Sequence, residues 1–167
     1  MTLSQDISPV NSEAMDDVVV HSEKLEWIPQ RFDPDRHFMK VLWTGPETGR
    51  VAVLIRSLKG SVTPRHKHLG DAHVYMLKGR LSVRDSELVA GDYLYEANGM
   101  IHGETKALED TEYLMILGGP ILFFDEDNFL GYMGWEEFHR DRQEHLVADP
   151  GGRADGGMQL GPVKRQA

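Results

Sequence analysis

Between residues 37 and 125, apolar and polar positions fall into short runs of strand-forming residues, each closed by a block of turn residues. HFMKVLWTG and RVAVLIRSL stand on either side of Pro-Glu-Thr-Gly, a block that punctuates two β-rich runs and so predicts a hairpin. HVYMLKG, RLSVR, DYLYEA, EYLMILGG and PILFFDE continue the series. Short strands at this regular spacing predict an all-β sandwich or barrel. Helical spacing is convincing only in GWEEFHRDRQEHL, where Trp135, Phe138 and Leu146 can line one side. The flanks have neither period. Residues 1–18 are polar and acidic and are expected to form a flexible arm, and the Gly-rich residues 149–167 a flexible tail, leaving residues 19–148 as the folded domain.

Composition narrows the chemistry. A length of 167 residues suits one domain of ordinary size. The formal net charge of −9 argues against a nucleic-acid or anionic-membrane surface, which needs clustered Lys and Arg. No apolar run is long enough to span a bilayer, and the first residues lack the basic start and apolar stretch of a secretory signal, so the expected setting is the cytoplasm. Zero cysteines exclude disulfides and thiolate metal ligands together.

The chemistry-bearing stretch is GSVTPRHKHLGDAHVYMLKG, residues 60–79. His66 and His68 are two apart in a strand-forming segment, which puts both imidazoles on one face. His102 follows at the end of GDYLYEANGMIH and can join them from a later antiparallel strand. Three nitrogen ligands leave open positions on a divalent metal, the arrangement of a catalytic rather than a closed structural site. His21, His37, His139 and His145 read as structural or solvent-facing.

These segments resemble the two cupin motifs. Gly60, His66, His68 and Gly79 fit the first, and Gly91, Gly99 and His102 fit the second, with Ala97 where proline is usual. The resemblance implies a single cupin barrel, a double-stranded β-helix or jelly roll, with one short C-terminal helix. Where cupins usually carry a metal-binding glutamate this chain has Ala72, which cannot bind metal. His73 is the fallback ligand, although strand alternation points it away from the face of positions 72, 74 and 76.

A narrower similarity lies in KGRLSVR, ANGMIHGET, LGGPILFFDEDN and GYMGWEEF, which resemble the acetylacetone-cleaving dioxygenases and, more distantly, the 2,4′-dihydroxyacetophenone dioxygenases. It implies a non-haem Fe(II) held by His66, His68 and His102, with Zn, Ni or Mn as possible occupants of the purified protein. It assigns supporting roles to Glu96, Arg84 and Thr105. The family's hydrogen-bonding tyrosine falls on Val74, and Thr63, Tyr113 and Leu117 stand where pocket phenylalanines are expected, so the substrate pocket should differ. The implied partners are a diketone-like small molecule and O2, in a homodimer or homotetramer. Two other functions remain open. One is an isomerase or hydrolase using Zn(II) or Mn(II) as a Lewis acid. The other is a non-catalytic metal- or ligand-binding cupin like the sensor half of certain anti-sigma factors, which the absence of a helical zinc-binding domain disfavours.

Overall fold

The computed structural model describes residues 18–125 and 128–146. The expected tail, and the expected arm apart from Val18, lie outside them. A short 3-10 turn at Ser22–Lys24 leads into β1 (Ile28–Pro29), β2 (His37–Gly45), β3 (Arg50–Ser57), β4 (Val62–Thr63), β5 (His66–His68), β6 (Ala72–Lys78) and β7 (Arg80–Val83). Then follow β8 (Ser86–Val89), β9 (Tyr93–Glu96), β10 (Ile101–His102), β11 (Thr105–Ala107), β12 (Thr111–Leu117), β13 (Ile121–Asp125), β14 (Asn128–Met133) and α1 (Trp135–Leu146). The expected β2–β3 hairpin forms around Pro46–Gly49, pairing His37 with Ser57 at one end and Gly45 with Arg50 at the other.

The strands build three antiparallel sheets. One has six strands in the order β1-β2-β3-β12-β6-β9; two have four each, β10-β5-β13-β14 and β4-β11-β7-β8. Alternation explains the core. Val51, Val53 and Ile55 of β3 face inward with Tyr113 and Leu117 of β12 and with Ala72, Val74 and Met76 of β6. Each large apolar side chain buried this way stabilises the fold by roughly 1.5–3 kcal/mol. Phe138 seats α1 on that core, with Trp135 partly buried beside it. The outer face of the six-stranded sheet carries Tyr75, Leu77, Tyr93, Tyr95 and Ile116, all exposed. Among the described residues no helix is long and apolar enough to cross a membrane.

β14 was not expected as a strand. NFLGYM has no period-2 pattern of burial, with Phe129, Leu130 and Tyr132 all exposed along a sheet edge. Its pairing with β13 is what holds it extended.

Candidate metal centre

Two strand pairings assemble the site. β5 is a three-residue strand in which His66 and His68 are buried and Lys67 turns outward. β10 pairs antiparallel with β5 so that His102 lies opposite His66. Gly99 makes this return possible. It adopts φ +82° and its N–H donates to the His68 carbonyl at 2.9 Å, while Met100 N–H donates to the Ala97 carbonyl at 3.1 Å. The turn therefore closes with alanine in the usual proline position.

The three imidazoles each offer a nitrogen, and these nitrogens all lie within 4.8 Å of one another. His66 Nδ1 donates to the Pro64 carbonyl at 2.8 Å, which fixes its tautomer and leaves the other nitrogen with a free lone pair. His68 is 1% exposed, and neither of its nitrogens, nor Nε2 of His102, has an aligned hydrogen-bond partner. Buried polar atoms without partners are uncommon in folded proteins. A convergent set of them with free lone pairs can hold a divalent cation. Burial lowers the His66 pKa to about 4, the bond to Pro64 partly opposing it, so the ring is neutral at physiological pH as a metal ligand must be.

Glu96, at the end of β9, is 6% exposed, and its carboxylate meets the same ring atoms. One oxygen lies 2.8 Å from His102 Nε2 and the other 3.2 Å from His68 Nε2. These contacts are ion pairs only when the rings are protonated. Burial raises the Glu96 pKa, yet the pull of His102 and His68 outweighs it and brings the group down to about 2. The β6–β9 register sets Glu96 directly across from Ala72. A carboxylate is thus present beside the histidines, delivered by the neighbouring strand.

The other expected residues divide. Thr63, Val74, Tyr113 and Thr105 line one cavity with His66, His68 and Glu96. Its volume is about 80 Å³, room for a small molecule. Leu117 is fully buried but does not line the cavity. It shares the face of Tyr113, at the far end of β12 between Val51 and Ala72. Arg84 stands apart from the cavity. It is exposed, at φ +53° in the β7–β8 turn, and its Nη2 donates to the Ile101 carbonyl at 2.7 Å. It braces the strand that carries His102. His73 is on the outer face of its sheet, bonded to the Tyr93 hydroxyl at 2.6 Å and 3.3 Å from Asp71, away from the cluster.

His37 departs from its expected bland role. It is buried, lines the cavity with Gln30 and Phe32, and shares a 2.9 Å hydrogen bond from Nδ1 with Ser57 Oγ. Burial lowers its pKa to about 4, with nearby Asp33 opposing. A depressed folded pKa gives stability that is complete above pH 6.5 and lost as pH falls towards 4. The metal-free protein should therefore weaken across that window. In His37→Phe the slope of unfolding free energy against pH should be shallower by up to one proton, about 1.4 kcal/mol per pH unit. Urea unfolding at pH steps between 4 and 7 checks this, and equal slopes contradict it.

Comparison with known proteins agrees with this geometry. Residues 15–122 match the family described as the ChrR Cupin-like domain. The chain is 27% identical over 116 residues to the acetylacetone-cleaving enzyme of Acinetobacter johnsonii, covering 65% of this chain and 76% of that protein. Its fold superposes with a TM-score of 0.77 on an RmlC-like cupin protein from Ralstonia eutropha JMP134, at 22% identity over 86% of this chain and 95% of that one. The acetylacetone dioxygenase structure from A. johnsonii gives a TM-score of 0.68 at 22% identity, over 79% and 93%. The structural likenesses establish the cupin fold.

Proposed function

The chain belongs to the ChrR cupin-like domain family, and from that premise we propose that it is a non-haem Fe(II) dioxygenase cleaving a carbon–carbon bond of a β-diketone, or a related chelating carbonyl compound, with O2. The observation that carries this reading is the buried cluster of His66, His68 and His102, of which His66 and His68 line a cavity walled largely by apolar side chains. Sequence similarity to an acetylacetone-cleaving enzyme supports it.

His66, His68 and His102 would hold the metal as neutral ligands. When bound, a ferrous ion supplies a chelating centre for the two oxygens of an enolate and the redox chemistry that lets O2 react with it. The remaining work belongs to the chain. Glu96 is buried beside the rings, where one carboxylate oxygen can accept the acidic proton between the two carbonyls. The apolar wall of Val74, Leu81, Val83 and Phe123 keeps bulk water from the electron-rich enolate. Thr105 lines the same wall and offers a hydroxyl to orient the bound oxygens. Cleavage then joins both atoms of O2 to the two carbonyl fragments, which balances the reaction without an external reductant.

The test is anaerobic loading with Fe(II), addition of a panel of diketones, and a search for an enolate-to-metal absorption band. Air should then consume O2 and the chelate together. The Ala72–Glu96 register favours one second reading, because a carboxylate beside the histidines also suits Zn(II) or Mn(II) acting as a Lewis acid in an isomerase or hydrolase. Diketones that bind without being cleaved, with turnover of another kind on Zn(II) or Mn(II), would establish it instead.

Glu96→Gln should keep the metal and lower turnover about tenfold or more, since the amide retains the shape but cannot take the proton. Unchanged turnover would make Glu96 structural. Assembly as a homodimer or homotetramer belongs to the same proposal, supported by the apolar β14 edge, a surface that pairing would cover. Light scattering at micromolar concentration should give two or four times the mass of one chain, and the mass of a single chain contradicts it.

A further inference from the structure

The cavity has a second polar station that the proposed chemistry does not use. His37 lines it from β2, and a run of ring contacts connects it to the histidine cluster: His66 to Phe123 at 5.8 Å between centroids, Phe123 to Phe32 at 6.3 Å, and Phe32 to His37 at 4.7 Å. His37 touches none of the three clustered histidines. Its Nδ1 is committed to Ser57 Oγ. Ser57 is itself buried and accepts at its backbone carbonyl from Thr111 Oγ1 at 3.2 Å.

Ser57 fixes the imidazole. An imidazole anchored through one nitrogen has a defined orientation and one free nitrogen. Among the described residues no group hydrogen-bonds His37 Nε2. On a residue that lines the cavity, a nitrogen left free in this way is available to water or to a ligand. Most of the surrounding wall, including Met39, Ile55, Met115 and Met133, is apolar and offers it nothing. Gln30, also buried and cavity-lining, is joined to His37 by the 2.8 Å bond from its N–H to the His37 carbonyl, so the two polar side chains sit on paired backbone.

We infer that His37, oriented by Ser57, is the specificity residue of this cavity and hydrogen-bonds a hydroxyl or carbonyl oxygen on the part of the substrate away from its chelating pair. The inference rests on the proposed diketone chemistry and narrows it. The preferred substrate class is a β-diketone carrying a further polar oxygen rather than a purely alkyl one.

Two size-matched probes test this: 1-hydroxypentane-2,4-dione and hexane-2,4-dione, which differ by a hydroxyl in place of a methyl. Each is titrated anaerobically into Fe(II)-loaded protein, and Kd is read from the enolate-to-metal band. Comparing the ratio of the two Kd values between wild type and variant removes their intrinsic difference in acidity. In His37→Phe the preference for the hydroxy compound should fall about fivefold or more, the usual worth of one such hydrogen bond, with the Kd of hexane-2,4-dione little changed. His37→Asn, which retains a polar group, should keep part of the preference. Ser57→Ala, which releases Nδ1, should lose part of it, and these two variants decide the matter if His37→Phe does not fold. An unchanged ratio in the folded variants, or equal loss of both probes, overturns the inference and leaves the diketone reading standing. No band with any diketone in the wild type overturns that reading, and this inference with it.

Discussion

His68→Ala and His102→Ala proteins, loaded with Fe(II) under argon and desalted, are expected to retain less than about a tenth of the wild-type metal. The reasoning is geometric. Three nitrogens within 4.8 Å of one another form the whole of the proposed ligand set, and removing one leaves a two-point site. Loss of a mere supporting partner already weakens metal sites by about 10–100-fold, and loss of a ligand should do at least as much. Both rings are almost fully buried, so each alanine also leaves a hole, and the variants must be shown to melt cooperatively before metal content is compared. Glu96, 2.8 Å from His102 Nε2, is left beside that hole with fewer contacts opposing its burial, and should bind a proton more readily in the variant. Stoichiometric metal in a well-folded variant would remove that histidine from the ligand set.

Gly79→Ala should destabilise the protein by roughly 4 kcal/mol or more, a large part of the 5–15 kcal/mol that holds a typical domain folded. Two effects coincide there. The residue has φ +77°, where a side chain is strained. A Cβ would also drive into the Asp110 carbonyl and lie 2.9 Å from Thr111 Cα. Those atoms are backbone at the start of β12, the strand between β3 and β6, and cannot rotate away as a flexible side chain would. Gly91 has a similar φ but open space around it, so Gly91→Ala should cost only the strain. Urea midpoints of the two variants make the comparison, and a loss below about 1 kcal/mol for Gly79→Ala would contradict the argument.

Much of the site was legible because it depends on short-range rules. Strand alternation puts His66 and His68 on one face, and the turn glycines bring His102 back to them. What escaped depends on register and depth, which one sequence does not carry. The resemblance names Glu96, but its place opposite Ala72 and beside the histidines comes from the β6–β9 pairing. Alternation assigns Leu117 to the face of Tyr113, but not to a height along the strand. That height separates a cavity wall from solid core. Arg84 is the first residue past β7, already in the turn, so its side chain meets the Ile101 carbonyl instead of the cavity. β2 is buried on both faces for much of its length, so no alternation marks which side His37 takes.

The most direct test of the central claim follows the oxygen atoms. Fe(II)-loaded protein is given a diketone and ¹⁸O2 in a closed vessel, and the products are analysed by mass spectrometry with O2 uptake measured in parallel. One O2 should be consumed per diketone cleaved, with ¹⁸O retained in the carboxylic acid fragment. Cleavage that proceeds without O2, or a carboxylate carrying only solvent oxygen, would contradict it.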